Sequence, residues 1–346
     1  MNTNQKSMRY DQNDYDALLH SKIPAALVET PQMNFDDDSD ASVFFARELD
    51  YVKSQSYDVE YPELTALKLF PMSSEIDPGA ETVTYYSYDK TGMAKIISNY
   101  ATDLPRADVK GKPTTAIIKS LGDSYGYSIQ EMRASAMAGK SLDARKAESA
   151  RYQIDYLNNK IAWCGDEETG LQGILSKDND IPLYVPVAGV SKSVKWKDKT
   201  ADEILADISG MLKQMARVTK KVEKPDTLAL PSEAYIDIQN RRIDGTATTV
   251  LKYIQDNIKD IPNIVSCPEL DPDGTDTNPY AADSNGQGVA LLFKNDARKF
   301  SIENPLSFMQ YPVQPQGLEM VVPCEARTAG AVIYYPMSLL IATGIC

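Results

Sequence analysis

The segment LDARKAESARYQIDYLNNKIAWC (142–164) carries the strongest helical signal in the chain. Its apolar residues recur at spacings of three and four, the pattern of one helical face: Ala147, Ala150, Ile154, Leu157 and Ile161. At a rise of about 1.5 Å per residue this helix would be about 35 Å long. Gly165 is expected to end it. The chain therefore contains a long amphipathic helix with one face for a core.

Residues 176–305 alternate strand-like and helical segments, which is typical of an α/β domain. The predicted strands are 181–187, 227–231, 263–270 and 288–295, and the predicted helices begin at 200, 233 and 247. Thr200 and Glu203 form a capping box at the first helix start, and Ser128 and Glu131 form another before the long helix. About 130 residues of this kind are enough for a separate domain.

A long β-hairpin is predicted between residues 64 and 127. Strand-like segments at 81–89, 93–100 and 114–122 surround a polar stretch, 103–113, that contains two prolines and a glycine. Two strands alone are marginally stable, so the hairpin needs another surface to lie on, in its own or a neighbouring subunit.

The two ends of the chain differ in character. Residues 1–63 begin with a polar stretch and an acidic run at 36–40, and they are predicted to form an extended arm. Residues 306–346 return to β structure. Their uncharged stretch 329–345 contains glycines and a proline among β-branched residues, which favours buried strands over a membrane helix.

Composition argues against several function classes. Lys and Arg total 36 and Asp and Glu total 49, so the net charge of −13 opposes DNA as a bound partner. The one histidine, His20, leaves little for His-based metal sites or catalytic triads. The four cysteines are scattered, as expected of incidental thiols in a reducing cytoplasm. No nucleotide-binding glycine motif or paired-carboxylate motif stands out, so we expect no catalytic residue, no cofactor and no metal site.

The order of the predicted segments resembles that of tailed-bacteriophage major capsid proteins with the Hong Kong 97-like (Johnson) fold. The segment DPGAETVTYYSYD (77–89) and its continuation look like the family's extended loop, and the helix at 142–164 looks like its spine helix. GLQGIL (170–175) is similar to the segment that follows the spine helix, and the closing stretch from 314 to 345 looks like the return strands.

The resemblance implies an α+β fold with four parts. These are an N-terminal arm (1–63), an extended loop with flanking strands (64–127), a peripheral domain with the spine helix (128–175 and 306–346), and an inserted α/β axial domain (176–305). It also implies a non-enzymatic subunit that forms pentamers and hexamers, and these would close an icosahedral shell around double-stranded DNA. Assembly would take place in the host bacterial cytoplasm, with separate scaffolding, portal or decoration proteins as further partners and no membrane.

Under this resemblance the hairpin would carry the intersubunit contacts. Basic residues near its tip would meet acidic surface on a neighbour, and tyrosines would supply apolar contact area: Arg106, Lys110, Lys112, Tyr85, Tyr86, Tyr88 and Tyr100. Strand faces alternate, so about half of the tyrosines are expected to pack within their own subunit instead. Two alternatives stay open at this point: an encapsulin-type shell around a cargo enzyme, and a soluble α/β enzyme that uses carboxylates.

Overall fold

A computed structural model describes residues 61–92, 94, 96, 106–139, 143–273, 277–280 and 287–346, and Pro62–Cys346 form one unit. The helices of this part are α1 (Ala66–Leu69), α2 (Ile129–Ala138), α3 (Asp143–Cys164), α4 (Ala201–Val218), α5 (Ser232–Asn240) and α6 (Val250–Asn257). The shorter strands of the first half are β1 (Met72–Ser73), β5 (Gly165–Asp166), β6 (Leu171–Gln172) and β7 (Leu183–Tyr184), and the longer ones are β2 (Thr82–Thr91), β3 (Asp108–Ile117) and β4 (Lys119–Ser128). The later strands are β8 (Thr227–Leu230), β9 (Asn263–Ser266), β10 (Val289–Phe293), β11 (Phe300–Glu303), β12 (Leu306–Gln310), β13 (Gln314–Gln316), β14 (Glu319–Thr328), β15 (Gly330–Ile333) and β16 (Leu339–Thr343).

Both predicted capping boxes are present. The Ser128 hydroxyl accepts from the Glu131 N–H at the start of α2, and Thr200 does the same for Glu203 at the start of α4. These contacts satisfy backbone donors that the first helical turn leaves free. The long helix α3 also forms where its periodicity predicts it, and Gly165 follows it with a φ of 74°.

A five-stranded sheet in the order β7-β16-β10-β8-β9 forms the centre of the α/β region. Both of its faces are buried, so apolar residues run continuously along the strands instead of alternating with polar ones. Leu291 of β10 faces one cluster, whereas its neighbour Leu292 faces a second cluster lined by α4, α5 and α6. The second cluster includes four α4 residues at helical spacings of three and four: Ile204, Ile208, Met211 and Met215.

The helix α3 packs on a second sheet, in which β14 lies between β4 on one side and β12 and β13 on the other. Leu121 and Tyr125 of β4 join Ala150 and Ile154 of α3 in a shared apolar cluster. A third sheet, in the order β1-β11-β15-β6-β5, lies against the remaining end of α3. Trp163 of α3 is fully buried there against Phe70, with ring centroids 4.8 Å apart.

The predicted hairpin is present, but its strands differ from those expected. Strand β2 pairs antiparallel with β3 over ten positions, from Thr82 opposite Ile117 to Thr91 opposite Asp108. Residues 108–113, predicted to be part of the tip, are therefore strand. Pro113 is tolerated because a two-stranded hairpin leaves outer edges at which no N–H is required. Most of the predicted strand 93–100 lies outside the described residues.

Several strand pairings cross the predicted domain limits. Strand β4, assigned to the extended-loop part, pairs along its whole length with β14. Strand β11, assigned to the α/β domain, pairs with β1 and β15 instead. The final strand β16, assigned to the peripheral domain, lies between β7 and β10 in the α/β sheet. Sheet pairing joins residues far apart in sequence, so chain order alone did not reveal these exchanges.

The uncharged C-terminal stretch forms the buried strands β15 and β16, as predicted. Among the described residues, none of the helices combines the length and the hydropathy that crossing a bilayer requires.

Candidate functional site

The β2–β3 hairpin has two chemically different faces, because side chains alternate along each strand. Thr84 and Thr115 face each other across the strands on the first face, with their hydroxyl oxygens 2.9 Å apart. Continuing along this face towards the tip, Tyr86 lies opposite Pro113 and Tyr88 lies opposite Gly111. We call this surface the tyrosine face.

Tyr86 and Tyr88 of the tyrosine face remain exposed, at 63% and 71% of their surface. Their rings stack with centroids 6.5 Å apart and planes 23° apart. The Tyr88 ring lies over Gly111, where an added Cβ would approach it to 3.1 Å. Val109, on the same face, is also exposed. The ring stacking and the close packing of Tyr88 on Gly111 hold the two rings against the hairpin backbone, so they present a preformed apolar contact surface.

Tyr85 points the other way and attaches the hairpin to the rest of the subunit. Its ring meets Tyr334 edge to face at a centroid distance of 4.9 Å. Its hydroxyl donates to the backbone oxygen of Ile333 at the end of β15. Tyr85 therefore packs within its own subunit through the Tyr334 ring and the Ile333 backbone.

The predicted basic contacts lie away from the two exposed tyrosines. Lys110 and Lys112 are on the same face as Tyr85, and Lys110 lies opposite Asp89. Arg106 precedes β3 and is exposed. The structure therefore does not bring the candidate residues into one patch: it separates an aromatic face from a charged face. Tyr100 lies outside the described residues.

Sequence reasoning missed a cavity of about 490 Å³ at the root of the hairpin. It is lined by Tyr85 from the hairpin, and by Ser301, Glu303 and Tyr334 from the outer face of the third sheet. The available signal was the alternation Phe-Ser-Ile-Glu (300–303), in which polar residues occupy every second position of a strand.

A second missed surface is the stretch that includes β7 and the residues after it. Four apolar side chains there are exposed by half or more: Leu183, Val185, Val187 and Val190. Sequence reasoning predicted a strand here but not its exposure, and only two residues pair with β16. An edge of this kind offers apolar contact area to another chain.

The chemistry available in the described part of the chain is limited. No group of His, Cys, Asp and Glu there has the arrangement of a metal site. All four cysteines are free, and burial raises the pKa of both Cys267 and Cys346 to about 12. Such thiols stay protonated and unreactive at neutral pH.

Family comparison decides what kind of protein this is. A family model described as "Major capsid protein" matches residues 92–345, more than two thirds of the chain. The chain belongs to the major capsid protein family. It is therefore a structural shell protein, and this family points away from enzymatic activity and does not favour the encapsulin alternative. No curated protein sequence is significantly similar to it.

Solved structures with the same fold support this assignment. A chain from the capsid of Myoviridae phage XM1 superimposes with a TM-score of 0.73 at 16% identity, covering 88% of this capsid protein and 100% of that chain. The capsid of a native GTA particle gives 0.62 at 10% identity, with 87% and 97% covered. A chain of Mycobacterium phage Bobi gives 0.56 at 14% identity, with 85% and 94% covered. The mixed α+β fold with several sheets is thus shared with capsid proteins.

Proposed function

We propose that this capsid protein is the main shell subunit of a tailed bacteriophage with the Hong Kong 97-like fold. Its copies would form pentamers and hexamers that close an icosahedral shell around double-stranded DNA. The observation that carries the proposal is the tyrosine face, which presents an exposed aromatic surface. The opposite face of the hairpin contacts the rest of the same subunit through Tyr85, so the tyrosine face is free to contact another copy. Such a surface suits a heterologous contact, in which different patches of two copies meet and a ring closes.

The parts of the subunit receive roles under this proposal. Residues 1–63 are the arm, β2 and β3 are the extended loop, and α3 is the spine helix of a peripheral domain. The axial domain comprises residues 176–293 together with 336–346, and its central sheet supports this grouping. The apolar cluster on one face of that sheet also contains Trp163 and Ala331, so the two domains would move as one body.

The net charge of −13 bears on the partners. A shell lined by an acidic protein would enclose DNA without binding it tightly, because sequence-independent DNA binding relies on Lys and Arg. Scaffolding, portal and decoration proteins would be separate chains. Assembly would take place in the cytoplasm of the bacterial host.

Electron microscopy of the purified full-length protein tests the proposal. We expect closed shells, or isolated pentamers and hexamers, with masses that native mass spectrometry assigns to multiples of the 38.3 kDa subunit. Because the contacts involve no nucleic acid, nuclease treatment before assembly should leave these products unchanged. A chain that stays monomeric across a range of concentration, salt and pH would contradict the proposal.

A further inference from the structure

The cavity at the hairpin root lies between the hairpin and the third sheet of the same subunit. Tyr85 and Ser87 of β2 line it from the hairpin, and Ser301, Glu303 and Tyr334 line it from the outer face of the sheet. Its volume of about 490 Å³ falls in the range of small-molecule sites and is far larger than a single metal ion requires. The size of the cavity therefore favours an organic ligand.

Glu303 determines the charge of this ligand. Only 4% of its surface is exposed, and its Oε1 accepts from the Ser301 hydroxyl at 2.5 Å and from the Tyr334 hydroxyl at 3.0 Å. Oε2 accepts no hydrogen bond from any of the described residues. Burial and the charge of Glu303 raise the pKa of Tyr334, so its phenol stays protonated and remains a donor. One oxygen of a buried carboxylate is thus left for a donor that enters the cavity.

The described part of the subunit supplies no cation to Glu303. Arg298 also lines the cavity, but its guanidinium donates to both carboxylate oxygens of Asp296, at 3.0 and 2.7 Å, and its side chain is 87% exposed. Lys299 pairs with Glu223 at 2.6 Å. A buried carboxylate without a cation is costly, so the site favours a positively charged ligand.

The single free oxygen distinguishes between two kinds of organic cation. A guanidinium is a planar fork that pairs best with both oxygens of a carboxylate, as Arg298 does with Asp296. At Glu303 only Oε2 is free, and one oxygen is sufficient for the compact charge of an ammonium group.

The aromatic walls complete the assignment. The rings of Tyr85 and Tyr334 meet edge to face at a centroid distance of 4.9 Å and line the cavity together with the carboxylate, and aromatic rings attract organic cations. Among the described residues, no set of three or more His, Cys, Asp or Glu could hold a metal ion. We propose that this cavity binds a small alkylammonium cation, with the ammonium at Oε2 of Glu303 and the alkyl chain against the tyrosine rings.

An occupant of this cavity contacts the hairpin and the third sheet at once. It therefore stabilises the attached position of the hairpin by mass action. The inference goes beyond the proposed shell function and does not rest on it, because every residue of the site belongs to one subunit.

The first test titrates n-butylammonium into the full-length chain, kept unassembled and at constant ionic strength, while tyrosine-ring NMR signals are recorded. n-Butanol, which has nearly the same length and no charge, is the control ligand. We expect saturable shifts of the Tyr85 and Tyr334 signals with the cation and none with the alcohol. For so small a ligand the Kd should be on the order of 1 mM.

A charge-removing variant tests whether Glu303 is the residue that binds the ammonium. Glu303→Gln keeps an acceptor for Ser301 and Tyr334 but loses the charge, so the affinity for n-butylammonium should fall at least about tenfold. Glu325→Gln is the matched control, because Glu325 also accepts from a tyrosine hydroxyl, that of Tyr311 at 2.8 Å, but does not line the cavity.

Ser87 allows a test that leaves Glu303 unchanged. Ser87 is exposed and lines the cavity, so Ser87→Lys should fold and should bring its own ammonium to the site. This tethered group competes with the probe and should weaken its binding at least about tenfold. Ser87→Gln, which adds length without charge, should stay within about threefold of the wild type.

Hydrogen exchange tests the link to the hairpin. If the ligand holds β2 against the third sheet, amide exchange in β2 should slow about tenfold when the probe is present at about ten times its Kd. Unchanged exchange at saturation would overturn the bridging role.

The remaining outcomes separate this inference from its alternatives. Equal affinity for n-butanol, or binding of calcium ions in place of the ammonium, would overturn it. A wild type that binds nothing while Arg298→Gln binds the cation would also overturn it, because the chain's own arginine would then fill the cavity. Failure of the wild type to form shells would contradict the proposed function alone, since the titration needs no assembly.

Discussion

The phenol hydroxyl of Tyr85 donates a hydrogen bond of 2.9 Å to the backbone oxygen of Ile333, which lies 248 positions later in the chain. Ile333 ends strand β15, and it belongs to an apolar cluster that the third sheet shares with the α/β sheet. The contact therefore attaches the hairpin to a rigid part of the subunit. The direction in which Tyr86 and Tyr88 face depends on this attachment, since they continue the same strand.

Replacing Tyr85 by Phe tests that attachment. The substitution removes the hydrogen bond and keeps the ring contact with Tyr334, so we expect a loss of about 0.5–1.5 kcal/mol in the free energy of unfolding. Urea denaturation measures it, and amide exchange in β2 should become faster. Tyr86→Phe is the matched control, because Tyr86 is exposed and should tolerate the change. Equal effects of the two variants would contradict the role of Tyr85.

The tyrosine face is tested by the double variant Tyr86→Thr/Tyr88→Thr. Threonine keeps a high strand propensity, so the subunit should remain within about 0.5 kcal/mol of wild-type stability. Shell formation, measured by light scattering and electron microscopy, should be lost or should require at least about tenfold more protein if the rings are central to the contact.

The opposite face of the hairpin supplies the comparison. Lys110→Thr/Lys112→Thr should weaken assembly less than the tyrosine variant does, and the weakening should depend on salt, because exposed charges contribute little each. A tyrosine variant that assembles like the wild type would show that the contact lies elsewhere, with the exposed stretch 183–190 as the next surface to change.

Gly173 is required by a close approach of two backbone segments. A Cβ added there would lie 2.2 Å from the backbone nitrogen of Gly165 and 2.6 Å from the carbonyl carbon of Trp163. Backbone atoms cannot rotate away as side chains do, so Gly173→Ala should cost about 3 kcal/mol in the free energy of unfolding. In Gly122→Ala the nearest atom would be 3.9 Å away, and that variant should be neutral or slightly stabilising. Chemical denaturation of the two variants provides the comparison, and a small effect at Gly173 would refute the packing argument.

Asp226 provides a pH-dependent prediction. Burial alone would raise the pKa of Asp226, but hydrogen bonds from the Asn295 N–H, Lys294 and Thr227 outweigh it and hold the pKa below its ordinary value. The folded state therefore favours the ionised carboxylate. Its stabilising contribution is present above the unfolded pKa of about 3.9 and is lost as the pH falls through the lower folded pKa.

The measurement for Asp226 compares wild type with Asp226→Asn in urea denaturation between pH 7 and pH 3. The wild type should be more stable at pH 7, and its advantage should shrink as the pH falls below about 4. Asp260→Asn, an exposed change in the turn after α6, should show no such trend. A difference that grows on acidification would reverse the proposed sign.

Local elements were predictable where their cause is local. The capping boxes at Ser128 and Thr200 and the apolar periodicity of α3 lie within single segments, so the sequence displayed them directly. The hairpin register was not predictable in this way. Pro113 and Gly111 indicated a turn by residue type, yet both lie in strand β3. The proline is accommodated because the outer edge of β3 needs no N–H donor there, and the glycine leaves room for the Tyr88 ring.

The candidate site was predictable only in part. The tyrosine cluster is visible in the sequence, and alternation implies that Tyr85 differs from Tyr86. Which face would turn outward depended on Ile333 and Tyr334, and no local pattern connects these residues to the hairpin. The same holds for the cavity, because Glu303 and Tyr85 belong to separate strands that meet only in the folded chain.

The sequence by itself determined the secondary structure of the long segments, the acidic charge and the family resemblance, because these depend on residue type and short-range spacing. The tertiary structure decided which strands became neighbours. It placed β16 inside the α/β sheet, joined β4 to β14 and turned the exposed tyrosines away from the body. The alternation of apolar residues determines which face of a strand is buried, but it does not determine which strand it pairs with. Distant strands with similar patterns compete as partners, and only the packing of the complete core selects among them.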